Sequence, residues 1–146
     1  MNNQKNIVLC GVGGQGTVLA SKLLAAAAMS KDIPVMSAET IGMAQRGGSV
    51  FSHLRMGDNL YSPMIETGTA DLIIGFEPGE TVRMLPYLKD HGHIVVSTRA
   101  VKPVTATLSG SDYDAPQMLE YLKVAVPNLT LVNADQACAD IGSSKV

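Results

Sequence analysis

A glycine-rich segment near the start of the chain has the residue types and spacing of an anion-binding loop. Residues 11–17 read G-V-G-G-Q-G-T, and the first, third and sixth of them fit the spacing G-x-G-x-x-G. Glycine at these positions allows a tight turn and lets a ligand oxygen approach the backbone. The unpaired N–H groups of a helix that starts here would attract phosphate or carboxylate. The candidate cofactor-binding residues are therefore Gly11, Gly13, Gly14, Gln15, Gly16 and Thr17.

The same spacing is compatible with a tight connection that binds nothing and with a dinucleotide site. A dinucleotide site needs an acidic residue roughly 20 positions further on, which takes a ribose hydroxyl, and Glu39 could fill that role. No lysine of the Walker type follows the segment, because Gly16 is followed by Thr17 and Val18. A P-loop that hydrolyses nucleotides is therefore not expected.

A second glycine-rich segment, residues 38–50, reads A-E-T-I-G-M-A-Q-R-G-G-S-V. It follows a predicted strand, and ligands of open α/β sheets bind beside the carboxyl ends of the strands. The guanidinium of Arg46 can form paired hydrogen bonds to a carboxylate or phosphate, and Gln45 can add neutral hydrogen bonds. The predicted catalytic residues are Arg46, Gln45 and Glu39, and Gly47 and Gly48 join the cofactor-binding set. The alternative is a solvated surface connection.

Alternating strands and helices must position both segments. The apolar residues 7–9 predict a buried strand, residues 14–30 a well-covered helix and residues 33–37 a second strand. Further strands are predicted at residues 50–56, 60–65, 71–77, 94–98, 104–108 and 129–132, and helices at residues 78–89, at residues 116–126 and from residue 134. This order predicts an α/β fold, a Rossmann-like three-layer sandwich. Its sheet would be mostly parallel, with an inserted antiparallel hairpin formed by residues 50–56 and 60–65.

Two further titratable residues fall in predicted strands. Glu77 ends a strand at the same edge of the sheet, so it either faces the same crevice or caps the helix that begins at Pro78. We predict that His53 is a residue of the strand surface rather than a catalytic base, because no acid or nucleophile accompanies it.

The composition argues against several classes of function. The formal net charge is −2 and no basic run occurs, so nucleic acid is not expected as a partner. No apolar stretch approaches the roughly 18 residues of a spanning helix, and the polar start has no secretory signal. We therefore expect a cytoplasmic protein with no membrane partner. The two cysteines, Cys10 and Cys138, form no C-x-x-C pair, so no four-thiolate cluster is predicted. No other metal site is predicted, because the sequence offers too few ligands.

Several segments together resemble one protein family. Residues 11–16, residues 38–50 and the sequence L-Y-S-P-M-I at residues 60–65 are similar to the gamma-type domain of 2-oxoacid:ferredoxin oxidoreductases, in particular of the indolepyruvate type. Residues 70–88 resemble that domain as well. The usual pattern has histidine where Ile41 stands, and family members continue past residue 146. The resemblance therefore implies a single gamma-type domain over residues 1–146 that is shortened at its C-terminus.

The resemblance implies a subunit of a heteromeric enzyme that converts a 2-oxoacid, such as an arylpyruvate, and coenzyme A to an acyl-CoA by oxidative decarboxylation. Thiamine diphosphate, Mg²⁺ and iron–sulfur clusters would lie on a large partner subunit. Thiamine diphosphate would carry the carbanion chemistry, the clusters would pass electrons to ferredoxin, and this chain alone would bind none of these groups. Residues 11–17 and 39–48 would face the partner, the 2-oxoacid or coenzyme A, and the glycine segment would not be a true NAD site. The resemblance leaves open whether two copies of the chain form a homodimer.

Two other functions fit the residues. The first is a free-standing NAD- or FAD-binding domain, supported by the glycine spacing and Glu39. The second is a non-catalytic interaction module, in which the second glycine-rich segment is only a protein interface.

Overall fold

The computed structural model describes residues 3–41, 47–110 and 112–142. Within these ranges one six-stranded sheet has the order β2-β3-β1-β4-β5-β6. The strands are β1 (Lys5–Val12), β2 (Val35–Ile41), β3 (Ser49–Met56), β4 (Ala70–Gly75), β5 (Leu88–Ser97) and β6 (Leu129–Val132). The helices are α1 (Thr17–Met29), α2 (Pro78–Met84), α3 (Val104–Leu108), α4 (Ala115–Ala125) and α5 (Ala134–Asp140), and a 3₁₀ helix covers Leu85–Tyr87.

The sheet is mixed. β1, β4, β5 and β6 pair in parallel, whereas β3 runs antiparallel to both of its neighbours, β1 and β2. The predicted fold class, with a mostly parallel sheet and an antiparallel insertion, is confirmed. The hairpin, however, consists of β2 and β3 joined by residues 42–48, because residues 60–65 form no strand. We call β2, residues 42–48 and β3 the arm.

Helices cover both faces of the sheet. Successive side chains of a strand point to opposite faces, and Val8 and Leu9 of β1 are both fully buried. Val8 belongs to a core with Ile73, Ile94 and Leu122 beneath α2 and α4, whereas α1 packs over β1, β2 and β3. This arrangement gives three layers, helix, sheet and helix.

The outer side of α1 differs from its prediction. Leu19 is 61% exposed and Leu23 is 62% exposed, so the expectation of a well-covered helix was wrong. The side that packs on the sheet carries small residues, and the buried ones are Thr17, Ser21 and Ala28. Small side chains let the helix approach the sheet closely, which leaves the leucines on the solvent side.

Other local differences have identifiable causes. β2 continues to Ile41, since it pairs with β3 along its whole length. Residues 104–108 form a helical turn rather than a strand, because the N–H of Thr107 bonds to the carbonyl of Pro103 at 3.2 Å. β5 starts at Leu88 and passes a register shift that includes His91, whose φ is 60°. His53 is 1% exposed, so it is a buried residue rather than a surface one.

None of the helices in the described ranges has the length and apolar character needed to cross a membrane.

We predict that Gly75→Ala destabilises the fold. A Cβ at residue 75 would lie 1.7 Å from Oγ1 of Thr81, which is fully buried. Forcing an extra methyl group into a packed core costs about 1–3 kcal/mol of unfolding free energy, measurable by urea denaturation. In a Thr81→Ala background the hydroxyl is absent, so the same substitution should destabilise less. An equal loss in both backgrounds would contradict this packing.

Candidate functional site

The two glycine-rich segments meet at the carboxyl edge of the parallel strands. We call residues 11–17 the glycine loop. The N–H of Gly13 donates to the carbonyl of Gly48 at 2.7 Å, and the N–H of Gly47 donates to the carbonyl of Gly13 at 3.3 Å. These bonds continue the β1–β3 ladder, in which Val12 pairs with Ser49. The glycine loop and residues 47–49 therefore form one continuous surface.

The glycines of the loop are required for different structural reasons. Gly14 and Gly16 have φ values of 103° and 83°, which residues other than glycine rarely adopt. Gly11 instead lies within β1, where a Cβ would be 2.9 Å from atoms of Gln15, Thr17 and Phe76. The first glycine of the motif is therefore needed for close packing rather than for the turn itself.

Gln15 joins the loop to the neighbouring parallel strand. Its Oε1 accepts a hydrogen bond from the N–H of Val12 at 2.7 Å, and its Nε2 donates to the carbonyl of Phe76 at 3.1 Å. Thr17 is 2% exposed, and its Oγ1 has no hydrogen-bond partner in the described part of the chain. A ligand at this loop would thus meet backbone groups first, since the side chains of residues 15 and 17 are directed into the protein.

The start of α1 offers those backbone groups. Gly16 is the N-cap and no side chain caps this helix. The first hydrogen bond of the helix comes from the N–H of Ala20 to the carbonyl of Gly16 at 2.9 Å. The N–H groups before residue 20 therefore have no partner within the helix, and the helix dipole adds a partial positive charge there. This end of α1 can hold a phosphate, a carboxylate or a polar group of another subunit.

Of the three predicted catalytic residues, only Glu39 lies in the described part of the chain. Glu39 belongs to β2, is partly exposed and pairs in register with Ser52 of β3. Gln45 and Arg46 lie outside the described residues, so their roles stay predictions. Gly47 is described, and a Cβ there would be 2.4 Å from Cγ2 of Val104.

The position of Glu39 argues against a dinucleotide site. In dinucleotide-binding folds the acidic residue ends the strand next to the first strand. Here β3 lies between β1 and β2, so the strand of Glu39 is two strand spacings, roughly 10 Å, from β1. The glycine spacing and Glu39 match the dinucleotide motif in the sequence, but their places in the fold do not match the geometry of a dinucleotide site.

A partly buried contact between two side chains links the start of β3 to α2. The hydroxyl of Ser49, the residue after Gly48, donates to Oε2 of Glu80 at 2.5 Å. Glu80 is 2% exposed, and its Oε1 accepts from Nη1 of Arg83 at 3.3 Å. The first turn of α2 thereby holds the arm against the glycine loop. Neither role is predicted from the sequence, since a serine and a glutamate 31 positions apart give no periodic signal.

Glu77 caps α2, so the capping interpretation is confirmed. Its carboxylate accepts a hydrogen bond from the N–H of Glu80 at 2.9 Å, and the side chain is fully buried. Burial raises the pKa of Glu77 to about 7 from its ordinary 4.5, the N–H of Glu80 opposes this rise, and the nearby carboxylate of Glu80 adds to it. The helix that supports the arm therefore begins at a carboxyl group that titrates near neutral pH.

A pocket also borders this region. Its volume is about 470 Å³, and it lies between α2, α3 and α4, with Arg83, Pro103, Tyr113 and Met118 in its walls.

Burial raises the pKa of Cys10 to about 12, so this thiol is unreactive at neutral pH. Among the residues that the structure describes, His, Cys, Asp and Glu form no group of three or more that could hold a metal ion.

The family model described as pyruvate ferredoxin/flavodoxin oxidoreductase matches residues 6–146 of the chain. The indolepyruvate oxidoreductase subunit IorB of Archaeoglobus fulgidus is 39% identical over 139 residues, which cover 94% of this chain and 69% of that subunit. The subunit of the same name from Methanothermobacter thermautotrophicus is 42% identical over 108 residues, which cover 74% of this chain and 55% of that subunit. The chain spans 54–69% of the length of four such subunits.

Solved structures have the same fold. The gamma subunit of a keto/oxoacid ferredoxin oxidoreductase from Geobacter sulfurreducens matches with a TM-score of 0.64 at 20% identity, over 97% of this chain and 67% of that subunit. A 2-oxoglutarate:ferredoxin oxidoreductase from Magnetococcus marinus, solved with 2-oxoglutarate, coenzyme A and succinyl-CoA bound, matches with a TM-score of 0.66 at 17% identity, over 96% of this chain and 22% of that chain.

We predict that Glu77→Gln changes the pH dependence of stability. Between pH 4.5 and about 7 the folded protein keeps a proton on Glu77 that the unfolded chain has lost. The stability that Glu77 contributes is therefore complete at low pH and falls as the pH rises through this window. Glutamine keeps an oxygen that can accept from Glu80 but does not titrate. Urea unfolding should show a smaller loss of stability between pH 5 and pH 8 in the variant than in the unaltered protein.

Asp114→Asn is the matched control for this titration. Asp114 caps α4 by accepting from the N–H of Gln117 at 3.0 Å, but it is exposed. The control should keep the pH dependence of the unaltered protein. Equal pH dependence in Glu77→Gln and in the unaltered protein would contradict the burial of a titrating carboxyl group.

Proposed function

The chain belongs to the pyruvate ferredoxin/flavodoxin oxidoreductase family, and from this we propose that it is a small subunit of a heteromeric 2-oxoacid:ferredoxin oxidoreductase. The names of the relatives favour an indolepyruvate or arylpyruvate substrate. The observation that carries the proposal is the pair of hydrogen bonds between Gly13 and residues 47 and 48. These bonds connect the loop before the uncapped start of α1 to residues 38–50, the segment on which the family resemblance is most specific.

We propose that a larger subunit carries the redox and carbanion chemistry. When bound there with Mg²⁺, thiamine diphosphate supplies the carbanion chemistry of the decarboxylation, and iron–sulfur clusters conduct electrons to ferredoxin. The cysteines of this chain do not fit a cluster, since Cys10 is buried and there is no C-x-x-C pair. The chain would therefore be inactive alone and would function in the cytoplasm as part of the complex.

The groups that this chain would contribute are backbone amides and one guanidinium. The free N–H groups at the start of α1 suit a phosphate of coenzyme A or the carboxylate of the 2-oxoacid. Arg46, which follows the arm's first strand, suits the same planar oxyanions, and Gln45 would donate neutral hydrogen bonds. Glu39 completes the proposed set, on the strand that leads into this segment.

Two alternatives are distinguished by binding and assembly. A free-standing NAD- or FAD-binding domain is not favoured, because β3 separates the strand of Glu39 from β1. Tight binding of NAD, NADP or FAD to the isolated chain would support it. A non-catalytic interaction module would assemble with the larger subunit, yet none of its side chains would affect turnover.

We predict that Arg46→Ala lowers kcat/KM for the 2-oxoacid in the assembled complex. Losing hydrogen bonds to a charged ligand should reduce this ratio roughly 10- to 100-fold, measured as indolepyruvate-dependent and coenzyme A-dependent reduction of ferredoxin. Arg46→Lys should recover only part of the activity, because an ammonium cannot form the paired hydrogen bonds.

Arg99→Ala is the matched control. Arg99 also follows a parallel strand, but it pairs with Asp135 at 3.2 Å, so its loss should change kcat/KM by less than about threefold. Unchanged turnover of an intact Arg46→Ala complex would remove Arg46 from the mechanism and favour the interaction module. Failure of the unaltered chain to assemble with any thiamine-dependent subunit would contradict the proposed function itself.

A further inference from the structure

The glycine loop has two attachments beyond β1 and α1, the elements that flank it. In the described part of the chain, hydrogen bonds join residues 13–16 to residues 47 and 48 and to Phe76. Packing does not fix the loop at Gly14, because a Cβ added there would have no other atom within 4 Å. Glycine also loses more conformational freedom on ordering than any other residue. The two attachments therefore decide how firmly the backbone amides before α1 are held in place.

Both attachments lead to the first turn of α2. Phe76, which accepts a hydrogen bond from Nε2 of Gln15 at 3.1 Å, directly precedes Glu77, the N-cap of that helix. Ser49, at the start of β3, donates to Oε2 of Glu80 at 2.5 Å. One turn of helix thus supports the glycine loop from two sides, once through a backbone carbonyl and once through a carboxylate.

The carboxylate of Glu80 is itself held by its neighbours. Its Oε1 accepts from Nη1 of Arg83 at 3.3 Å, and the N–H of Glu80 donates to the carboxylate of Glu77 at 2.9 Å. Hydrogen bonds to carboxylates are stronger than those between neutral groups, and the one from Ser49 is partly shielded from water. It is therefore a strong and directional link between α2 and β3.

Ser49 lies where the β1–β3 ladder ends. The register runs over eight pairs, from Lys5 and Met56 at one end to Val12 and Ser49 at the other. The ends of secondary structure open more readily than the centre, so a contact at the last pair steadies the adjoining loop more than it steadies the sheet. The hydroxyl of Ser49 thus matters more for the position of the glycine loop than for the stability of the whole chain.

We call the free backbone N–H groups at the start of α1 the anion site. We propose that Glu80 is a positioning residue of the anion site and that it acts through the hydroxyl of Ser49. The inference rests on the proposed function, which assigns this site to a phosphate or carboxylate of a substrate. Amides that are in place before binding hold an anion more tightly, because little conformational entropy is then lost on binding. Without the contact, residues 13–16 sample more conformations and the affinity for the anion falls.

The first experiment measures amide hydrogen exchange of the chain by NMR. In Ser49→Ala the amides of Gly13 and Gly47, which bond across the two segments, should exchange roughly 10-fold faster than in the unaltered protein. The amide of Ile94, which bonds to the carbonyl of Asn128 at 2.9 Å, should keep its rate. Ser49→Thr keeps a hydroxyl group and should restore slow exchange.

Ser97→Ala is the matched control. Ser97 ends β5 at the same edge of the sheet and is partly buried, as Ser49 is. Its hydroxyl oxygen accepts from the N–H of Arg99 at 3.1 Å, so the substitution also removes one hydrogen bond from a serine at the end of a strand. Exchange at Gly13 and Gly47 should be unchanged in this variant.

The second experiment compares the steady-state kinetics of the assembled complex. Gly14→Ala strains the glycine loop directly, because its φ is 103°, and shows whether coenzyme A or the 2-oxoacid has a KM that depends on the loop. Ser49→Ala should raise the KM of that same substrate roughly 5- to 10-fold and leave kcat within about twofold. A general loss of folded complex would instead lower kcat and leave KM unchanged. Ser97→Ala should change neither constant.

Variants of Glu80 test the other side of the contact. Glu80→Ala should raise the same KM as Ser49→Ala, and the double variant should raise it no further, because both substitutions remove one contact. Glu80→Gln keeps an oxygen that can accept from Ser49, so it should have a smaller effect, and it serves as the test if Glu80→Ala fails to fold. Thermal unfolding of each variant checks the fold.

The outcomes separate the two claims. If no complex that contains the unaltered chain oxidises a 2-oxoacid, the proposed function fails, while hydrogen exchange still reports on the contact. If Ser49→Ala leaves exchange at Gly13 and the KM unchanged, or lowers kcat alone, Glu80 is not a positioning residue and the proposed function stands. Effects of Ser49→Ala and Glu80→Ala that multiply in the double variant would also overturn the inference.

Discussion

Two backbone hydrogen bonds join the glycine loop to the tip of the arm, and the candidate site depends on them. They require β3 to lie beside β1, because only the β1–β3 ladder brings Gly13 opposite Gly48. The contact from Ser49 to Glu80 and the bridge from Gln15 to Phe76 then hold the two sides against β4 and α2. The resulting surface consists of backbone amides at a sheet edge, which suits a subunit that positions ligands while another chain supplies reactive groups.

Much of this architecture could be predicted from local patterns. The apolar run of β1, the glycines and the apolar residues of α1 predict a strand, loop and helix, and the bounds predicted for β6, residues 129–132, agree with the structure. These predictions succeed because burial and helix capping act within a few residues. For the same reason Pro78 and Glu77 predicted the start of α2. The family resemblance added the meaning of residues 38–50, which their pattern alone leaves open.

What could not be predicted depends on contacts between distant residues. The sequence of residues 49–56 does not indicate that they form a strand between β1 and β2. An antiparallel strand has the same alternation of buried and exposed side chains in any position of a sheet. The strand predicted at residues 60–65 does not form, because this segment bonds to His53 and Arg55 instead of pairing with a strand. Glu80 resembles a helix-surface residue in sequence and becomes a buried support only through Ser49.

The insertion of β3 also has a consequence for the order of folding. β2 and β3 are close in sequence, so the hairpin can form early at a small loss of chain entropy. Its docking on β1 joins more distant residues, such as Val8 and His53, which are 45 positions apart, and must wait for more of the chain to become compact. The binding surface therefore appears at a late step, after the elements that compose it already exist.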